Sequence, residues 1–130
     1  MFYGGKKKMK HVKFKIAEYD VWLNIYFSEL EDPDLEYTLY NIDFILYVCE
    51  IKGKKRLESF AEVYGDSAVI YAIDDSRYPI YRLLEIRVIA VNGGFRIIAE
   101  LFSTTLRDIF NGSWRRKEPI ETKTLEVGTL

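Results

Sequence analysis

Leu84 to Phe102 runs LEIRVIAVNGGFRIIAELF, which folds either as a β-hairpin or, in its second half, as a helix. As extended chain, Leu84, Ile86, Val88 and Ala90 alternate with Glu85, Arg87 and Ile89. Asn92-Gly93-Gly94 then supplies a tight turn, because asparagine and glycine tolerate positive φ, and Phe95 to Phe102 returns antiparallel. A helical reading competes with this one. On a wheel, Phe95, Ile98, Ala99, Phe102, Leu106, Ile109 and Phe110 share one face, opposite Arg96, Glu100, Ser103, Arg107 and Asp108. Asn92 would cap that helix and Gly112 would end it, but Ile97 and Leu101 fall on its wrong side. The expectation is a strand to about Phe102 and then a short helix from about Thr105 to Phe110.

Outward from this hairpin, the same logic covers most of the chain. Val12, Phe14 and Ile16 alternate with His11, Lys13 and Lys15, the mark of a half-buried strand. Alternation continues through Val21, Leu23, Ile25 and Phe27, with Trp22 and Tyr26 making the opposite face apolar as well. Glu29 to Asp34 holds four acids and Pro33 and reads as a loop. Leu35 to Ile51 is rich in Tyr, Ile, Phe and Val. Both its faces are apolar past Phe44, which places its middle at the centre of a sheet. Lys52 to Lys55 reads as a turn. Leu57, Phe60, Ala61 and Tyr64 sit at helical spacing before Gly65, so Arg56 to Tyr64 reads as a helix or a bent return strand. Ser67 to Ile73 reads as a strand, and Trp114 to Lys117 as a polar connection.

Such short strands and turn signals predict a mainly β fold, with α+β as the variant: an antiparallel sandwich or barrel-like sheet with one or two short helices. The expected organisation is a flexible basic arm over 1–10, a single β-rich domain over 11–118 and an extended tail over 119–130. One domain suits 130 residues.

Composition excludes several classes of function. The single cysteine, Cys49, rules out an intrachain disulfide and a four-thiolate zinc site. It lies in an apolar run and reads as an inert core thiol. The single histidine, His11, rules out the H-E-x-x-H pattern. A net charge of -1 argues against a domain devoted to nucleic acid. Apolar runs such as Phe44 to Cys49 are far short of the ~20 residues of a membrane span. The basic start lacks the apolar core of a signal peptide, so the expected location is the cytoplasm or a virion. Glutamine is absent while Lys, Glu, Ile and Tyr abound, a leaning shared with thermophile proteins.

One pattern carries chemistry. Pro33-Asp34 precedes Glu50-Ile51-Lys52, and a helix-like segment and a strand follow. This resembles the PD-(D/E)XK nuclease superfamily. The resemblance implies that Asp34 and Glu50 hold Mg²⁺ while Lys52 orients the nucleophile. E-x-K triplets also arise by composition alone, as Glu121-Thr122-Lys123 shows. A further reading, binding of nucleic acid without catalysis, would use Lys6, Lys7, Lys8, Arg115, Arg116 and Lys117, with Trp114 stacking on a base.

The rhythm of Phe44–Ile51, Ser67–Ile73, Leu84–Val91 and Phe95–Phe102, with the Asn92-Gly93 hairpin, resembles the immunoglobulin-like sandwich modules of phage tails and baseplates. That resemblance implies a structural or binding role with no cofactor and no catalytic residue. The leading expectation is a small, non-enzymatic, β-rich binding or assembly domain of viral or mobile-element origin in a thermophile. Its partner would be protein, in the first place another copy of itself, with no membrane involved. The Mg²⁺-dependent nuclease and the nucleic-acid binder are the alternatives.

Overall fold

Strands form wherever the sequence alternates or crowds β-branched and aromatic residues. The computed structural model describes residues 7–30, 34, 39–53 and 57–129. Among the described residues there are eight strands: β1 (Lys7–Ile16), β2 (Tyr19–Leu30), β3 (Leu39–Ile51), β4 (Glu58–Tyr64), β5 (Ser67–Asp74), β6 (Ile80–Val91), β7 (Gly94–Thr105) and β8 (Glu121–Gly128). One short helix, α1 (Leu106–Asn111), and a 3-10 turn (Ser113–Arg116) lie between β7 and β8. Thr105 starts α1 by accepting the Asp108 amide, and Gly112 ends it with φ 77°. The β6–β7 hairpin and the short helix after it match the extended reading of the sequence.

β1, β2 and β3 form one antiparallel sheet in that order, and β4 to β8 form a second, also in chain order. The fold is therefore a mainly β, sandwich-like meander that changes sheet between β3 and β4.

Residues of one parity face inward on each strand but β3, whose inward parity changes along its length. Phe14, Leu23, Ile25 and Phe27 from the first sheet meet Ile70, Ile86, Phe95 and Ile97 from the second in one continuous core. Phe27 sits edge-on to Tyr40 and Phe95, with centroids 5.2 and 4.8 Å away. Polar contacts pin the sheets together at both ends. At one end the Tyr19 hydroxyl donates to Asp74 at 2.7 Å, Arg77 and Arg82 both reach Glu18 at 3.2 Å, and the Ala17 amide donates to the Glu121 carboxylate. At the other end the Ile42 amide donates to the Gly65 carbonyl, and the Tyr40 and Thr129 hydroxyls meet at 3.0 Å. A second, smaller core lies on the outer face of the five-stranded sheet, where Trp114 packs on Leu83 and Phe102 beside Tyr71 and Ile73.

Several expectations change. Lys7 to Lys10 are not part of a flexible arm. They pair with Ser28 to Ile25 as the start of β1, while residues 1–6 lie outside the described residues. The tail is not merely extended, because Glu121 to Gly128 pairs with β7 as an edge strand. Of the two readings left open for Arg56 to Tyr64, Glu58 to Tyr64 takes the return strand. Its ladder to β5, closed by Gly65 at φ 63°, overrides the helical spacing. Glu29 and Leu30 belong to β2 rather than to the loop. Finally, β3 is an edge strand and not a central one.

Candidate functional site

The change at β3 creates the most distinctive surface of the molecule. Pairing between β2 and β3 shifts at Tyr26 and Phe27, where Tyr26 opposes Phe44 and Phe27 opposes Ile42. Asp43 is the extra residue of this bulge, and its carboxylate accepts the Ser28 hydroxyl at 2.8 Å. Before the bulge, Tyr40 and Ile42 are buried; after it, Ile45 and Cys49 are. The inserted residue thus reverses the phase and turns Phe44 and Leu46 outward, 48% and 54% exposed.

These side chains join others in rows across the sheet. Met9, Tyr26 and Phe44 make one row, His11, Asn24 and Leu46 the next, Lys13, Trp22 and Val48 the third, and Lys15, Asp20 and Glu50 the last. Tyr26 and Phe44 stack at 4.5 Å with their planes 16° apart. The Lys13 ammonium lies 6.0 Å from the Trp22 ring centre. His11 and Asn24 bond side chain to side chain at 2.6 Å, and Lys15 approaches Asp20 at 3.8 Å. The result is an apolar band of Met9, Trp22, Tyr26, Phe44, Leu46 and Val48. Lysines border it on β1, and a carboxylate, Glu50, borders it on β3. Among the described residues no further layer lies above this outer face, whereas the inner face carries the main core.

The nuclease triad is not assembled. Glu50 and Lys52 lie at the end of β3 next to the β1–β2 turn, with Glu50 directly opposite Asp20. Asp34 lies in the connection that joins the opposite ends of β2 and β3, where Leu30 opposes Leu39. From Leu39 to Glu50 the strand covers roughly 35 Å at about 3.3 Å per residue. Asp34 is four residues past Leu30, a reach of at most about 14 Å. The carboxylates of Asp34 and Glu50 therefore cannot share a cation. The helix expected after the triplet is β4. Among the described residues no group of three or more His, Cys, Asp or Glu is placed to hold a metal ion.

The basic candidates are dispersed too. Lys6 lies outside the described residues. Lys7 and Lys8 open β1 at the Phe27 end, and Lys8 pairs with Glu29 at 2.9 Å. Arg115 to Lys117 follow α1, at the Tyr19 end of the other sheet. There Lys117 pairs with Asp108 at 2.9 Å and Arg115 donates to the Tyr71 hydroxyl at 3.0 Å. Arg116 is exposed. Trp114 is buried, edge-on to Phe102, with the Arg115 guanidinium over its ring. It anchors the small core and offers no open face for a base.

Beside that anchor is a shallow groove of about 270 Å³, lined by Phe60, Tyr71, Ile73, Trp114, Glu62 and Arg115 among others. Cys49 is buried, which pushes its thiol up to about 12 and keeps it protonated and unreactive. No helix of the described residues is long and apolar enough to cross a membrane. Comparison of the chain with family models, with curated proteins and with solved structures finds no match in any of the three.

Proposed function

We propose that the protein is a non-enzymatic assembly module that associates with copies of itself through the outer face of β1–β3. The observation that carries this reading is the apolar band, which crosses all three strands and includes Met9, Phe44 and Leu46, each about half exposed. Contiguous apolar surface of this kind marks contact sites on soluble proteins, and aromatic residues and Met are favoured at the centres of interfaces.

Charge placement supports a second copy as the occupant. A two-fold axis running along β2 would lay β1 of one copy over β3 of the other, row upon row. Lys15 then faces the partner's Glu50, Lys13 faces Val48, Met9 faces Phe44, and Trp22 and Asp20 each meet their own equivalents, Asp20 with its own Lys15 beside it at 3.8 Å. The absence of glutamine beside abundant Lys, Glu, Ile and Tyr supports a thermophilic source; a viral or mobile-element origin, with the virion or the cytoplasm as location, is part of the same proposal.

Sedimentation velocity over a range of concentrations tests the reading. Leu46→Glu is expected to weaken association at least about tenfold, since one buried unpaired charge costs more than the 1.4 kcal/mol that a decade represents. Lys15→Glu is expected to weaken it as well, and Glu50→Lys added to Lys15→Glu is expected to restore it. A wild-type chain that remains monomeric at its highest soluble concentration overturns the proposal.

A further inference from the structure

We infer that the open edge of β4 is a second self-association site, where two copies join antiparallel about an axis through Ala61 and extend the five-stranded sheet to ten strands. The inference rests on the reading of this chain as a self-associating module, but it uses a different surface. β4 pairs with β5 on one side, and among the described residues no strand pairs with the other. It is also the least covered strand. Six of its seven residues are exposed, Phe60, Val63 and Tyr64 among them, and only Ala61 packs against the core.

Sheet edges are ordinarily protected by lysine, proline, a bulge or a covering element. Lys8, Lys10, Lys13 and Lys15 guard β1, and β3 carries its bulge. Lys123 of β8 donates to the Lys15 carbonyl, which ties that edge to β1. β4 has no lysine, no proline and no bulge, and its only charges are Glu58 and Glu62.

The register follows from backbone and charge. Residues flanking a two-residue turn are a hydrogen-bonded pair, and such pairs alternate with non-bonded ones. Tyr64 and Ser67 flank Gly65-Asp66. Glu58, Phe60, Glu62 and Tyr64 thus spend their backbone groups on β5, and Ser59, Ala61 and Val63 direct theirs to the open edge. Pairing centred on Ala61 matches all seven residues. It sets Phe60 against Glu62, Glu58 against Tyr64 and Ser59 against Val63. Carboxylates then never face each other. Moving the centre to Phe60 or to Glu62 brings glutamates into opposition and shortens the ladder.

Cysteine placement tests this inference. In the chosen register the two Ala61 Cα atoms stand about 5.5 Å apart, within disulfide range. Buried Cys49 does not compete. Ala61→Cys is expected to form disulfide-linked dimers under mild oxidation at least about tenfold faster than Glu58→Cys, whose equivalents lie several residues apart along the ladder. The same difference is expected in the Leu46→Glu background, which disables the other face. Equal rates for the two cysteines overturn the edge pairing. So does loss of the Ala61→Cys cross-link on adding Leu46→Glu, which would assign the contact to the β1–β3 face. Ala61→Pro, which removes an outward amide and leaves the ladder to β5 intact, is expected to abolish the edge dimer while Leu46-dependent association persists.

Discussion

Asp74 and Tyr19 show how a single buried pair sets a pH dependence. Burial alone would raise the Asp74 carboxyl. The Ser76 amide and the Tyr19 hydroxyl, both bonded to it, outweigh burial and hold it below the usual carboxylate range. A carboxyl depressed on folding stabilises the native state above about pH 4, its unfolded value, and that contribution fades as pH falls through the folded value. Tyr19→Phe is expected to cost about 1.5–3 kcal/mol near neutral pH, because a charged acceptor loses its partner. It should also flatten the acid limb of stability, measured by urea denaturation between pH 7 and pH 2. The tyrosine itself is raised by burial and by the neighbouring carboxylate, so it stays protonated wherever the fold persists. Tyr19 lies 55 positions from Asp74, and nothing local in the sequence links the two.

At the scale of elements, alternation made most strands legible, and Asn92-Gly93-Gly94 fixed the central hairpin. The second glycine of that run has a cause visible only in space. A Cβ on Gly94 would stand 2.0 Å from the Val127 carbonyl oxygen of β8. β4 was ambiguous because its apolar residues fit a helical period, and only the β5 ladder decides between the two readings. β3 misled for a physical reason. Two apolar faces ordinarily signal a strand buried on both sides, but here one face is core and the other is turned to solvent past the bulge. The candidate surface was therefore present in the sequence as an excess of apolar residues, and its exposure was not. Asp34 and Glu50 sat at plausible spacing, yet spacing along a hairpin does not distinguish the same end from opposite ends. α1 owes its position to the anchor that follows it. Trp114→Ala is expected to cost about 3–5 kcal/mol and to speed amide exchange in Leu106–Asn111, while the hairpin ladders stay protected.

At the scale of the molecule, the two sheets share one core, so their unfolding should be a single event. Cys49 reports it. The thiol lies on the inner face of β3, and burial raises it to about 12. Alkylation at pH 8 is expected to be negligible in the native protein and to rise with urea in step with loss of tryptophan fluorescence. Labelling that precedes the fluorescence change would mean that the first sheet opens alone.

The single passage from one sheet to the other also has a consequence for biosynthesis. Translation delivers β1 to β3 as a finished three-stranded unit before any of the five strands that cover it exist. Until they emerge, that unit is greasy on both sides. The nascent chain is thus most vulnerable to misassembly, and most in need of a chaperone, between the emergence of β3 and that of β4 to β8.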